Sequence, residues 1–299
     1  MNKRKIFIFL LLTFFLSWIL ALLFYLSGEN WNISPLSQIT GIIYMFMPLL
    51  SAIIVQRFIY KGEVKESLGI SFKFNKWFLI AYLLPFFISI CVSLFSIMMP
   101  DVSLSLDLSG FYERYRNIFS EEQIQTMKLQ FEKYRYFILI MVLIQSLIAG
   151  LTINALFAFG EETGWRGFLF NELKNLRFWE SSFLIGFIWG LWHAPIIAMG
   201  HNYPQHPKIG ILMMILFCIL YSPIFNYIRI KTKSVIGPSL LHGSLNATAG
   251  FTIMFLKGGN DLTIGITGIA GFISLIIIDL FLLLDKEIKN KKIKEILGG

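Results

Sequence analysis

The sequence predicts an all-α fold, a polytopic transmembrane helical bundle of about eight spans with both termini on the cytoplasmic side. Three observations predict it. Apolar residues make up 56% of the 299 residues and charged residues only 15%, against roughly 25% charge in a soluble domain. With a mean hydropathy of +0.68, that excess is too large for a core of this size, so lipid must solvate much of the surface. The apolar residues also fall in runs near the roughly 20 that a bilayer core requires of a helix. Finally, 19 of the 26 Lys and Arg residues lie in segments 1–5, 57–76, 166–177, 229–233 and 285–299. Those segments alternate with the runs, and this bias places them inside.

Taken in order, the first run is 6–26, preceded by Lys3, Arg4 and Lys5. It is longer than the 7–15 residues of a signal-peptide core and no small-residue cleavage site follows, so an anchor is expected. The next spans are 39–59 and 77–99. Segment 100–135 is a mixed-charge extracytoplasmic loop with amphipathic stretches, expected to form a solvated helical hairpin or an interfacial helix, with a lid or substrate-docking element as the sharper alternative. A long run, 136–170, forms the fourth span, and 183–199, 209–228, 235–255 and 264–284 supply the rest. Residues 1–299 read as one membrane domain, with the catalytic core expected at 137–255. The net charge of +8 sits in short clusters between apolar runs, which argues against a nucleic-acid partner. Cys91 and Cys218 lie inside apolar runs and read as small buried hydrophobes.

Ionisable groups at membrane depth cost several kcal/mol unless paired, so they mark functional sites. Glu161, Glu162, His193, His242 and Asp279 are such groups, accompanied by Arg166 and Asn246. Glu162 and Arg166 are i,i+4 neighbours on a helix and can pair. Glu161 points about 100° away from Glu162, leaving a carboxylate free to exchange a proton. In the fifth span, Trp189 lies one turn before His193, and Pro195 frees the carbonyl of Leu191 and favours a kink. In the seventh, His242 and Asn246 share a face, and Gly237, Gly243 and Ser244 permit close helix approach. With the fourth span taken as one straight helix, Glu161 lies ~14 Å from its inner end, His242 ~12 Å deep and His193 ~17–20 Å deep. One shared cavity is therefore expected. Asp279 is expected to hydrogen-bond or snorkel, and His201 and His206 to be solvent-exposed in an outer loop.

A carboxylate beside an imidazole can deprotonate water, and a second His with an amide one turn away can donate to an oxyanion. These are the parts of a peptide hydrolase without a covalent intermediate. Glu161, His193 and His242 could instead hold zinc with one open position, although His-Glu-x-x-His is absent. The metal-free version is favoured, with zinc the alternative. A transporter or channel with a Glu/His proton relay is the rival reading.

Glu-Glu-x-x-x-Arg (Glu161, Glu162, Arg166), the span ending in His193 and His-x-x-x-Asn (His242, Asn246) resemble the three motifs of the CAAX protease and bacteriocin-processing family (CPBP or Abi). These are intramembrane endopeptidases related to the type II CAAX prenyl protease. The motif region covers about 151–255, and Trp189 stands where the family usually has Phe. The resemblance implies that Glu161 and His193 activate water and that His242 and Asn246 form the oxyanion site. Glu162 and Arg166 are then supporting partners. It also implies a hydrophobic, lipidated or leader-type peptide substrate, contact with membrane lipid, and a multi-pass location in a bacterial plasma membrane. A non-catalytic bacteriocin-immunity protein is a further alternative.

Overall fold

Helix α1, Lys3–Leu26, starts at Asn2, whose side chain accepts from the amide of Lys5, satisfying one of the donors a helix start leaves free. The computed structural model containing it describes residues 1–116 and 119–298. Ser34 caps α2, Pro35–Ile53, with Pro35 in its first turn, and the helix continues through wide π turns at Ile54–Ile59. A single turn, α3, Val64–Ser67, leads to α4, Lys76–Ile97, capped by Asn75.

The loop that follows is more structured than a solvated hairpin. Strand β1, Ser103–Leu104, pairs antiparallel with β2, Leu256–Lys257. Helix α5, Ser109–Tyr115, precedes α6, Glu121–Leu151, which opens with a capping box between Ser120 and Gln123. Leu108, Tyr112, Ile124 and Phe131 form a small second core there, packed with Met254 and Phe255. Arg114 donates to the carbonyls of Ile253, Leu256 and Gly258. The loop is thereby tied to the segment after the seventh predicted span. Helix α6 runs from Glu121 past residue 135 with a kink at Tyr134.

The fourth predicted span is not one straight helix. It breaks at Thr152 (φ −112°, ψ −94°), resumes as α7, Ile153–Glu162, passes into π turns at Thr163–Leu169 and ends in α8, Phe170–Glu172. Packing explains the break and the wide turns. A Cβ on Gly150 would lie 3.1 Å from the Cα of Ser244, and one on Gly243 would lie 2.5 Å from the amide of Ala155. A Cβ on Gly164 would lie 2.4 Å from that of Pro48. The chain bends so that these backbones can touch. The Glu161 depth expected from a straight helix is replaced by this geometry.

Helix α9, Phe178–Trp192, ends where expected, before His193, and α10, Ala194–Ala198, follows at an angle with Pro195 in its first turn. Helix α11, Pro207–Thr232, packs along α9, where Gly186 and Gly190 abut the backbone of Cys218, Ile219 and Ile215. Helix α12, Ile236–Thr248, is surrounded by α4, α6 and α7. It is followed by α13, Phe251–Met254, then α14, Ile269–Leu284, and a terminal α15, Ile293–Gly298.

Among the described residues five helices are long and apolar enough to cross a membrane: α1, α2 with its extension, α4, the run from Glu121 to Glu172, and α11. The other three predicted spans correspond to α9 with α10, α12 and α14, which are shorter. The basic segments meet at one end of the bundle. Lys5 pairs with Glu172 at 2.5 Å, Asn171 donates to the carbonyl of Ser67, Ser234 bridges to Ser71, Lys231 pairs with Glu287, and Arg177 bridges to Lys292. The segments around Lys5 and Lys292 therefore lie at the same end of the bundle.

Candidate active site

Glu161 and Glu162 close α7 just above the π turns. Such turns occur often at functional sites. Here they present both carboxylates, and Arg166 from the wide turn itself, to α9, α11 and α12. Arg166 and Glu162 are completely buried, whereas Glu161, His193 and His242 keep 3%, 6% and 6% of their surface. The difference separates a sealed ionic support from three groups that a small molecule can reach.

The sealed part is continuous. Arg166 Nη1 lies 3.1 Å from Glu162 Oε2, and its Nη2 donates to Ser222 at 3.3 Å. Its guanidinium lies 4.4 Å from the ring centres of both Trp189 and Phe225, which meet edge-on at 5.4 Å. Oε1 of Glu162 accepts both from Arg166 Nη1 at 3.3 Å and from His242 Nδ1 at 2.8 Å. Glu162 thus bridges Arg166 on its own helix and His242 on α12.

The reachable part is built on Trp189. Its indole N–H donates to Glu161 Oε2 at 2.9 Å. Its backbone carbonyl, one turn from the end of α9, receives the Nδ1–H of His193 at 2.8 Å. A carbonyl only accepts, so His193 carries its proton on Nδ1 and presents the lone pair of Nε2. The Trp189 ring also lies edge-on to both His193 and His242, at 5.7 Å each. One residue therefore touches Glu161, His193, His242 and Arg166.

A second layer of aromatics fixes α9 at its end. Tyr44 of α2 donates to the carbonyl of Trp192 at 2.6 Å, and Trp18 of α1 donates to the same oxygen at 3.2 Å. That carbonyl is among those a helix end leaves free. The Trp192 indole donates to Ser17 at 2.7 Å. Tyr44, Phe225 and Ser222 were not anticipated from sequence. They come from α2 and α11, and the only local signal was a tyrosine placed in an apolar run.

Asn246 lies one turn from His242 on α12, with its side chain exposed. Three expectations need correction. His201 is half-buried and accepts from the Trp31 indole at 3.1 Å. His206 is held by Asp261 at 2.6 Å. In α14, Oδ1 of Asp279 is buried without a hydrogen-bond partner among the described residues. As for the alternative zinc set, no three His, Cys, Asp or Glu side chains among the described residues are grouped to hold a metal ion.

Residues 135–248 match a family described as type II CAAX prenyl endopeptidase Rce1-like. A 44-residue stretch is 41% identical to CAAX prenyl protease 2 of Methanococcus maripaludis. That stretch covers 14% of this chain and 16% of the relative, so the match spans about a sixth of the relative's length.

Proposed function

We infer that this chain, whose residues 135–248 match a family described as type II CAAX prenyl endopeptidase Rce1-like, is an intramembrane endopeptidase of the cell membrane. Its substrate is a hydrophobic, lipidated or leader-type peptide. The observation that carries the reading is the double engagement of Trp189, whose indole holds Glu161 while its carbonyl holds His193.

With Oε2 of Glu161 taken by the indole and Nδ1 of His193 by the carbonyl, each group keeps one free acceptor. A water molecule donating to both would turn an oxygen lone pair toward a substrate carbonyl, and Glu161 takes its proton as the oxygen attacks. The carbon–nitrogen bond then breaks as that proton passes to the departing amine, giving one carboxylate and one amine with no covalent enzyme adduct.

The developing oxyanion is met by His242, whose Nδ1–H rests on Glu162, and by the amide of Asn246. Donors of this kind contribute a few kcal/mol each. Glu162 and Arg166 are positioning residues. When His242 is protonated, the two carboxylates balance it and Arg166, and the buried cluster is neutral. This arrangement supports the metal-free version over zinc.

The test is cleavage of a fluorogenic hydrophobic peptide library by the purified protein in lipid vesicles, with and without a chelator, alongside solute flux. The reading expects cleavage that a chelator leaves unchanged. Chelator-abolished cleavage restored by zinc would replace the mechanism. Flux without cleavage would replace the function with transport.

A further inference from the structure

The Thr152 break opens a cavity of about 450 Å³ between α6, α7 and α12, lined by Gln145, Ser146, Ala149, Asn154 and Ala247 among others. That volume lies within the usual range for ligand sites, roughly 300–1,000 Å³. Its chemistry is unusual for helices in lipid. Three uncharged polar side chains face it, and none of them makes a hydrogen bond among the described residues. Polar groups at membrane depth are costly when unpaired, so they are tolerated where something else pairs them.

Position ties the cavity to the reactive groups. Asn154 precedes Glu161 by seven residues on α7. Two turns separate them by about 10 Å on one helix face. Ala247, on the opposite wall, follows Asn246 and lies within two turns of His242 on α12. The cavity is therefore the flank of the same site, one to two turns away from the position of attack.

Carboxamides carry both a donor and an acceptor and no charge. The lining holds no ionisable group, so it offers nothing to balance a charged ligand. The group that complements a carboxamide on both sides is a peptide bond. We propose that this cavity binds the substrate's main chain beside the scissile bond, with Gln145 and Asn154 as substrate-binding residues that hydrogen-bond its amides. The inference rests on the endopeptidase reading and adds where the peptide lies.

The test uses a peptide that the wild type cleaves, and versions N-methylated at single backbone nitrogens on either side of the cleaved bond. Gln145→Leu and Asn154→Leu are expected to raise KM about tenfold, the size of one neutral hydrogen bond, with kcat within about twofold. Asn154→Gln should recover most of the loss. One N-methyl position should cost the wild type about tenfold and the matching Leu variant nothing further. Melting temperatures in detergent report whether each variant folds, and the N-methyl series on the wild type needs no variant. Unchanged KM in both folded variants, or an N-methyl series without effect on the wild type, overturns the subsite and leaves the endopeptidase reading standing. A wild type that cleaves no peptide overturns both.

Discussion

The indole nitrogen of Trp189 lies 2.9 Å from Oε2 of Glu161, across 28 residues of sequence and between two different helices. This bond leaves Glu161 one free oxygen and fixes where it points. Trp189→Phe keeps the ring that packs on Arg166 and His242 but removes the donor. A hydrogen bond to a charged group contributes about 1.5–3 kcal/mol, so kcat should fall roughly 10–100-fold, since each 1.4 kcal/mol is tenfold in rate. The melting temperature should fall by several degrees, at roughly 2–4 °C per kcal/mol for a chain of this size. Steady-state kinetics with a fluorogenic peptide checks the first and thermal unfolding the second.

Arg166 is buried, with Glu162 and His242 dependent on it directly and in turn. Arg166→Met should therefore destabilise the protein by about 3–5 kcal/mol, because it leaves a buried carboxylate unbalanced. The double variant Glu162→Gln/Arg166→Met should recover much of that loss. Denaturant unfolding in mixed micelles checks both. Equal destabilisation in single and double variants would contradict the pairing.

Gly164→Ala should destabilise the protein by about 1–3 kcal/mol, the usual penalty for overpacking, because the added carbon would sit 2.4 Å from Pro48. The π turns carrying Arg166 would shift with it, so peptide cleavage should fall as well. Unfolding midpoint and kcat/KM, measured on one preparation, report the two effects.

Outside the spans, burial holds the His201 imidazole down to about 4, and it accepts a hydrogen bond from Trp31 that protonation would abolish. A histidine whose folded value lies below the ordinary 6.5 contributes its full stability above pH 6.5. That contribution is lost as pH falls from there toward 4. The melting temperature should drop across this window, and His201→Gln should flatten the drop. A variant with the wild-type slope would contradict the assignment.

Parts of this architecture were legible in the sequence and parts were not, for physical reasons. Periodicity and run length located the helices, and the i,i+4 spacing of Glu162 and Arg166 placed them in contact. Pro195 marked the bend after His193 because proline removes a donor wherever it stands. The break at Thr152 had no such local mark. It follows from glycines of α6 and α12 meeting, which depends on tertiary packing. The partners of Glu161 and Trp192 were invisible for the same reason, since they lie on other helices. Asn246 was placed on the His242 face, as the spacing requires, but spacing cannot say whether a neighbouring helix covers that face. Here α12 ends two residues later and the side chain is exposed.

The most direct measurement is the single-turnover rate of peptide cleavage by Glu161→Gln beside the wild type, both in vesicles and both shown to be folded by their melting temperatures. Glutamine can still accept the Trp189 bond but cannot take a proton from water. General base catalysis is typically worth 10²–10⁴-fold, so the variant's rate should fall by roughly that factor. Cleavage by folded Glu161→Gln at close to the wild-type rate would contradict the account.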